Sequence, residues 1–182
     1  MKINPLKIPE VLIIEPEIFE DSRGFLFESF NHQKFELLIN KKVRFVQDNH
    51  SRSKKNVIRG LHYQLNHPQA KLIRVVNGEI FDVAVDVRSY SPKYGKWVGA
   101  YLSSDNKKQL WIPEGFAHGF LALSNDVDVL YKTTEYWKAP DEHCILWNDA
   151  HLNIEWPVPN QNDLIISPKD MQGRAFIDAK TF

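Results

Sequence analysis

From Val43 onward the chain alternates apolar and polar positions in short runs separated by turn residues, the period-two pattern of β-strands. The clearest case is AKLIRVVNGEIFDVAVDVR (70–88), where Phe81, Val83, Val85 and Val87 alternate with Asp82, Ala84 and Asp86. Asn77-Gly78 in its middle is read as the two-residue turn of a hairpin. KWVGAYLSS (96–104), KQLWIP (108–113), HGFLALS (118–124) and VDVLYKTTEYW (127–137) read as further strands. Upstream, VLIIE (11–15) is the first strand, EDSRG (20–24) a turn, and GFLFESFN (24–31) a strand with Glu28 on the face opposite Phe25 and Phe27. The helical spacing of Phe35, Leu38 and Ile39 predicts one short helix over 32–40, capped by Asn31 and closed at Asn40. After Pro140 the alternation is lost, and an irregular C-terminal arm packed over the strands or a partner is expected. Many short antiparallel strands with little helix predict an all-β double-sheet jelly roll spanning 1–182 as a single domain.

One strand carries more polarity than a structural role needs. VRFVQDNHSRSKKNVIRGLHYQ (43–64) begins apolar and then presents Gln47, Asn49, His50 and Arg52 in series. A strand face that leaves the core to line a wet, anion-binding cavity would read this way, and so would a solvent-facing strand. Arg59 and His62 stand three apart across Gly60, where a bulge or a close backbone approach is expected.

Charge and cysteine content narrow the classes. Lys+Arg and Asp+Glu both count 23, so no net charge argues for nucleic acid or a membrane surface. The single Cys144 forms no internal disulfide, which fits a reducing, cytoplasmic setting. The N-terminal apolar run is broken by Pro and Glu and does not read as a signal peptide, and no run is long enough to span a bilayer.

PEGFAHGF (113–120) has the P-x-G-x-x-H form of the second motif of cupins, β-barrels that often bind metal. Metal cupins draw their remaining ligands from an earlier H-x-H and a Glu. RGLHYQLNHPQAK supplies one His in the strand, and the next Glu is Glu79. His62 with His118 falls short of the three or four ligands of a divalent site, so no metal is expected.

DSRGFLFESF (21–30), FVQDNHS (45–51), RGLHYQ (59–64), GEIFDVAVDVR (78–88), YGKWVG (94–99), QLWIPEGFAHGF (109–120) and ILWND (145–149) together resemble dTDP-4-dehydrorhamnose 3,5-epimerases. The match runs in order across nearly the whole chain. The resemblance implies a cupin-like, cofactor-free homodimer that exchanges an N-terminal strand. It implies a dTDP-sugar substrate, dTDP-4-dehydro-6-deoxy-glucose, inverted at the two carbons flanking its ketone.

Inverting such a carbon needs a base, an opposed acid and a stabiliser for the enolate oxygen. By resemblance His62 is the base, Asp170 its orienting carboxylate, Tyr131 the opposed proton donor and Lys71 the enolate-stabilising cation. A neutral imidazole suits the first role near neutral pH. Arg23 and Arg59 match positions that hold the diphosphate, where guanidinium groups make bidentate contacts. Glu28, Gln47 and Asn49 match positions around thymine and deoxyribose, and His118, Glu142 and Lys169 match others lining the pocket. Trp137 departs from the pattern, since many members carry a tyrosine there. The change replaces a hydroxyl by a larger, donor-only ring. It bears on whether both carbons react or one, as in mono-epimerases or keto-isomerases of related dTDP-sugars.

Overall fold

The computed structural model describes residues 1–158 and 160–182, and Pro159, in the C-terminal arm, lies outside the described residues. In chain order the elements are β1 (Lys2–Pro5), β2 (Leu12–Glu15), β3 (Phe19–Asp21), β4 (Gly24–Leu26), α1 (His32–Ile39), β5 (Gln47–Ser53), β6 (Val57–Gln64) and β7 (Lys71–Asn77). They continue as β8 (Glu79–Asp86), β9 (Trp97–Ser103), β10 (Gln109–Ile112), β11 (Phe116–Ala122), β12 (Val127–Thr133), β13 (Glu142–Cys144), β14 (Ile165–Ile166) and α2 (Pro168–Met171). One sheet has the order β1-β2-β10-β7-β12-β5, and the facing sheet runs β13-β6-β11-β8-β9 with β14 added parallel to β6. β3 and β4 form a separate hairpin. This is the cupin-like jelly roll that the alternation predicts.

The core between the sheets joins Ile73, Val75, Leu110 and Val129 of the first to Ile80, Ala84, Phe116 and Phe120 of the second. Each sheet also buries its outer face. On β8, Phe81, Val83 and Val85 point away from that core and are covered by Trp147, Leu152, Trp156 and Phe176 of the C-terminal arm. On the first sheet, Leu12, Leu72 and Trp111 are covered by Phe35 of α1. A strand buried on both faces explains why β8 is almost wholly apolar apart from its acids.

Four expectations change. Asn77-Gly78 is not a hairpin turn, because β7 pairs with β10 and β12 while β8 pairs with β9 and β11. Gly78, at φ +79, instead carries the chain from one sheet to the other. A two-residue Asn-Gly step serves a sheet crossing as well as a hairpin, and burial of both arms decides between them. The strand read over 24–31 stops at Leu26, and the one read to 137 stops at Thr133. The polar strand begins at Gln47, with Val43–Val46 irregular before it. An edge strand at Lys2–Pro5 and the one-turn α2 were outside the pattern, both being too short for periodicity to register. Helix α1 and its Asn31 and Asn40 caps fall where the spacing puts them, with the Asn31 side chain accepting from the Lys34 amide.

Candidate active site

In a strand of period two, residues three apart face opposite ways, so Arg59 and His62 could not share a cavity on a regular β6. The strand carries one extra residue. His118 pairs with His62 and Phe120 with Arg59, so a two-residue step on β11 faces a three-residue step on β6. Gly60 sits in this bulge at φ +124, and a Cβ there would lie 2.5 Å from the Gly119 Cα. Two glycines at closest approach let the strand shift face, and both Arg59 and His62 line one cavity of about 420 Å³.

That cavity lies between the sheets. The first sheet supplies Gln47, Asn49 and Ser51 from β5, Lys71 from β7 and Tyr131 from β12. The second supplies Arg59 and His62 from β6, His118 and Phe120 from β11, and Glu142 from β13. Ser167, Lys169 and Asp170 close it from the start of α2, and Gln69 and Trp137 from the connecting segments.

His62 Nε2 is 2.7 Å from Asp170 Oδ1. Burial works to raise the Asp170 carboxyl's pKa. Hydrogen bonds from His62, the Gly60 backbone and Ser167, with the His62 charge, outweigh it and hold the pKa below the usual value. An ionised carboxylate only accepts, so Nε2 carries the hydrogen and Nδ1 is the basic nitrogen of the neutral ring. The Ser167 side chain caps α2 by accepting from the Asp170 amide.

Lys71 is buried at 7% exposure, with Nζ 3.5 Å from the His62 carbonyl. Burial pushes its ammonium down to about 8, against the opposing pull of Glu142 and Asp82. Tyr131 projects from the opposite sheet to His62, and burial raises its pKa, so the phenol keeps its proton. Glu142 forms an ion pair with Lys169. Burial works to raise the Glu142 pKa, yet the bond from Lys169 and the charges of His62 and Lys169 bring it down.

Eleven of the thirteen residues named from the sequence therefore stand on one cavity: His62, Tyr131, Lys71, Asp170, Gln47, Asn49, Arg59, His118, Glu142, Lys169 and Trp137. Arg23 and Glu28 do not. Arg23 is exposed on the β3–β4 hairpin and bonded to Asp21, and Glu28 is held by Lys34 and Asn31 beside α1. Asp82 was read only as the polar half of an alternation. It is fully buried, and both its oxygens lie 2.9 and 3.0 Å from His118 Nε2. A charged residue between apolar neighbours in a strand was the available signal. Ser51 and Phe120, which end two of the quoted motifs without being assigned a role, and Gln69 and Ser167 are further lining residues.

Cys144 lies opposite His62 in the ladder, and the potential donor atoms of His62, Cys144 and Asp170 fall within 4.8 Å of one another. Burial pushes the Cys144 thiol up to about 12, and His62 and Asp170 already satisfy each other. A protonated thiol beside a histidine and a carboxylate already hydrogen-bonded to each other is poor ligand chemistry for a divalent ion.

The comparisons with known proteins agree in one direction. The model of the dTDP-4-dehydrorhamnose 3,5-epimerase family matches residues 5–178. A dTDP-4-dehydrorhamnose 3,5-epimerase of Pseudomonas aeruginosa is 54% identical over 182 residues, covering 100% of this chain and 99% of that one. The crystal structure of a dTDP-6-deoxy-D-glucose-3,5-epimerase from Legionella pneumophila, in complex with dTDP-4-keto-L-rhamnose, superposes with a TM-score of 0.95 at 48% identity. It covers 98% of this chain and 94% of that one. The 3'-monoepimerase ChmJ of Streptomyces bikiniensis, in complex with dTDP-quinovose, superposes with a TM-score of 0.89 at 28% identity, covering 97% and 88%.

Proposed function

This chain belongs to the dTDP-4-dehydrorhamnose 3,5-epimerase family. On that premise we propose that its cavity performs the family reaction by proton abstraction and return beside a ketone, with the residue roles that follow. The substrate is dTDP-4-dehydro-6-deoxy-D-glucose and the product dTDP-4-dehydro-L-rhamnose. The observation that carries this reading is the His62–Asp170 pair, at 2.7 Å, in one cavity with the buried Lys71 and Tyr131.

His62 takes the proton from the carbon beside the ketone, and the C–H electron pair moves onto the ketone oxygen as an enolate. Asp170 stabilises the imidazolium that forms. The Lys71 ammonium compensates the enolate charge in a poorly solvated setting, where such a charge counts for more than in water. Tyr131, reaching in from the other sheet, returns a proton to the opposite face of the carbon and is itself reprotonated from solvent, while the His62 imidazolium gives up its proton to solvent and is again a base. The same cycle at the second carbon completes the double inversion. Arg59 takes diphosphate oxygens, Gln47 and Asn49 face the nucleoside, and His118, Glu142 and Lys169 line the sugar end.

Arg23 and Glu28 enter through a partner. The chain works as a cytoplasmic homodimer that exchanges an N-terminal segment. β1 pairs with β2 of its own chain, so the β3–β4 hairpin is the segment left to reach across. A second reading, inversion of one carbon, rests on Trp137 and on the likeness to a 3'-monoepimerase with the same scaffold.

Incubation with dTDP-4-dehydro-6-deoxy-D-glucose in heavy water, followed by NMR, separates the two. Deuterium at both carbons flanking the ketone is expected, and deuterium at one selects the second reading. Exchange at neither carbon, or undiminished exchange in His62→Ala, overturns the mechanism.

A further inference from the structure

The segment after β12 leaves the sheet at Thr133 yet stays on the cavity wall through Trp137. Three glutamines from three places hold its backbone. Gln69 Nε2 donates to the Glu135 carbonyl at 2.8 Å. Gln64 Nε2 donates to the Tyr136 carbonyl at 3.1 Å, and Gln64 Oε1 accepts from the Lys138 amide at 2.7 Å. The Trp137 amide donates to Gln47 Oε1 at 3.0 Å. Four successive residues, 135–138, are thus fixed by side-chain amides where the ladder has ended.

Gln64 is the centre of this clamp. It closes β6, is 2% exposed, and its Nε2 also donates to the His67 carbonyl at 2.8 Å. Gln64 is absent from the cavity lining, so its three bonds act on the site through the strap. The strap in turn sets the nucleoside side: Trp137 holds Gln47 Oε1, which leaves Gln47 Nε2 to donate to Asn49 Oδ1 at 2.9 Å. Trp137 shares the cavity wall with Glu142, and its side chain helps lower the Glu142 pKa.

We infer that Gln64 is a positioning residue for nucleotide binding, acting by clamping residues 136–138 so that Trp137 and Gln47 stand preformed on the cavity wall. This rests on the function proposed above, since it takes dTDP as the ligand. A wall held in place before binding avoids an ordering cost on binding. A loosened clamp therefore weakens dTDP and raises KM while chemistry at His62 continues.

The test is a double-mutant cycle of Gln64→Glu and Trp137→Ala, read by dTDP affinity in calorimetry and by kcat and KM. Gln64→Glu keeps the shape and an acceptor for Lys138 but loses both donors to Tyr136 and His67. The expected result is about a tenfold rise in Kd and KM with kcat within twofold, and a smaller rise in the Trp137→Ala background, where the clamp still acts on Gln47 through the residue-137 amide but no longer on the indole. Equal losses in both backgrounds, a fall in kcat at unchanged KM, or unchanged affinity would overturn the clamp. A wild-type protein that binds no dTDP removes the underlying functional reading instead. Should Gln64→Glu not fold, amide hydrogen exchange on the wild type still decides. The Trp137 and Lys138 amides are expected to be protected, and exchange of both at the free-peptide rate sinks the proposal.

Discussion

At the scale of single residues, Lys71 shows how burial tunes a charge to which a catalytic role is proposed. Its ammonium sits at about 8 because desolvation outweighs Glu142 and Asp82. As the mechanism proposed above sets the charged form against an enolate, kcat/KM should fall as pH rises through about 8. Tyr131, shifted upward by its own burial, does not contribute to that limb. Lys71→Arg keeps a charge that does not titrate in this range, so its pH–rate profile should lose the limb. A limb that persists there assigns the titration elsewhere. The linkage runs the other way for stability. A lysine whose folded pKa is depressed costs stability in its charged form below about 8, and the cost fades as pH climbs toward the ordinary value of 10.5. Lys71→Met should therefore abolish turnover while raising the unfolding free energy at neutral pH, by up to about 3 kcal/mol. Urea denaturation of both proteins measures this.

At the scale of elements, the bulge in β6 puts Arg59 and His62 on the same cavity. Gly60 combines φ +124 with a Cβ position 2.5 Å from Gly119 Cα and 2.7 Å from the His118 carbonyl. The obstacles are backbone, so no side-chain rotation relieves them. Gly60→Ala should cost more than about 3 kcal/mol, or force the strands apart. Since His62 pairs with His118 beside the glycine, any adjustment displaces the proposed base. Deuterium exchange into the substrate should fall even in the fraction that remains folded. A Gly60→Ala protein with wild-type stability and exchange would mean that the close approach is dispensable.

At the scale of the whole molecule, the β3–β4 hairpin carries Phe19, Phe25 and Leu26 at 58%, 59% and 73% exposure. An exposed apolar hairpin bearing Arg23, on a chain whose cavity has eleven of thirteen expected residues, is what exchange between two copies would require. Light scattering should report twice the 21.2 kDa chain mass. Leu26→Asp should shift the protein toward monomer and weaken dTDP binding together. Mixing Arg23→Ala with His62→Ala should restore activity, because one site of the mixed dimer then holds neither defect. A fully active monomer, or a mixture no better than its parts, removes the exchange.

The residues around His62 were legible only through the resemblance of their motifs to a family, whereas the sequence by itself determined the β class, the helix with both asparagine caps and the irregularity at Gly60. Each is a local property: alternation, capping chemistry and glycine's tolerance of positive φ act over a few neighbouring residues. Tertiary structure decided what depends on distant partners. Asn77-Gly78 joins two sheets because both arms find apolar cover on both faces, and no two-residue motif encodes that cover. Asp82 became a buried partner of His118 only once β8 lay beside β11. Asp170 reached His62 across 108 positions through a single helical turn too short for any periodicity to mark. Gln64, the last residue of a recognised motif, took its place in the clamp from backbone groups more than seventy residues away.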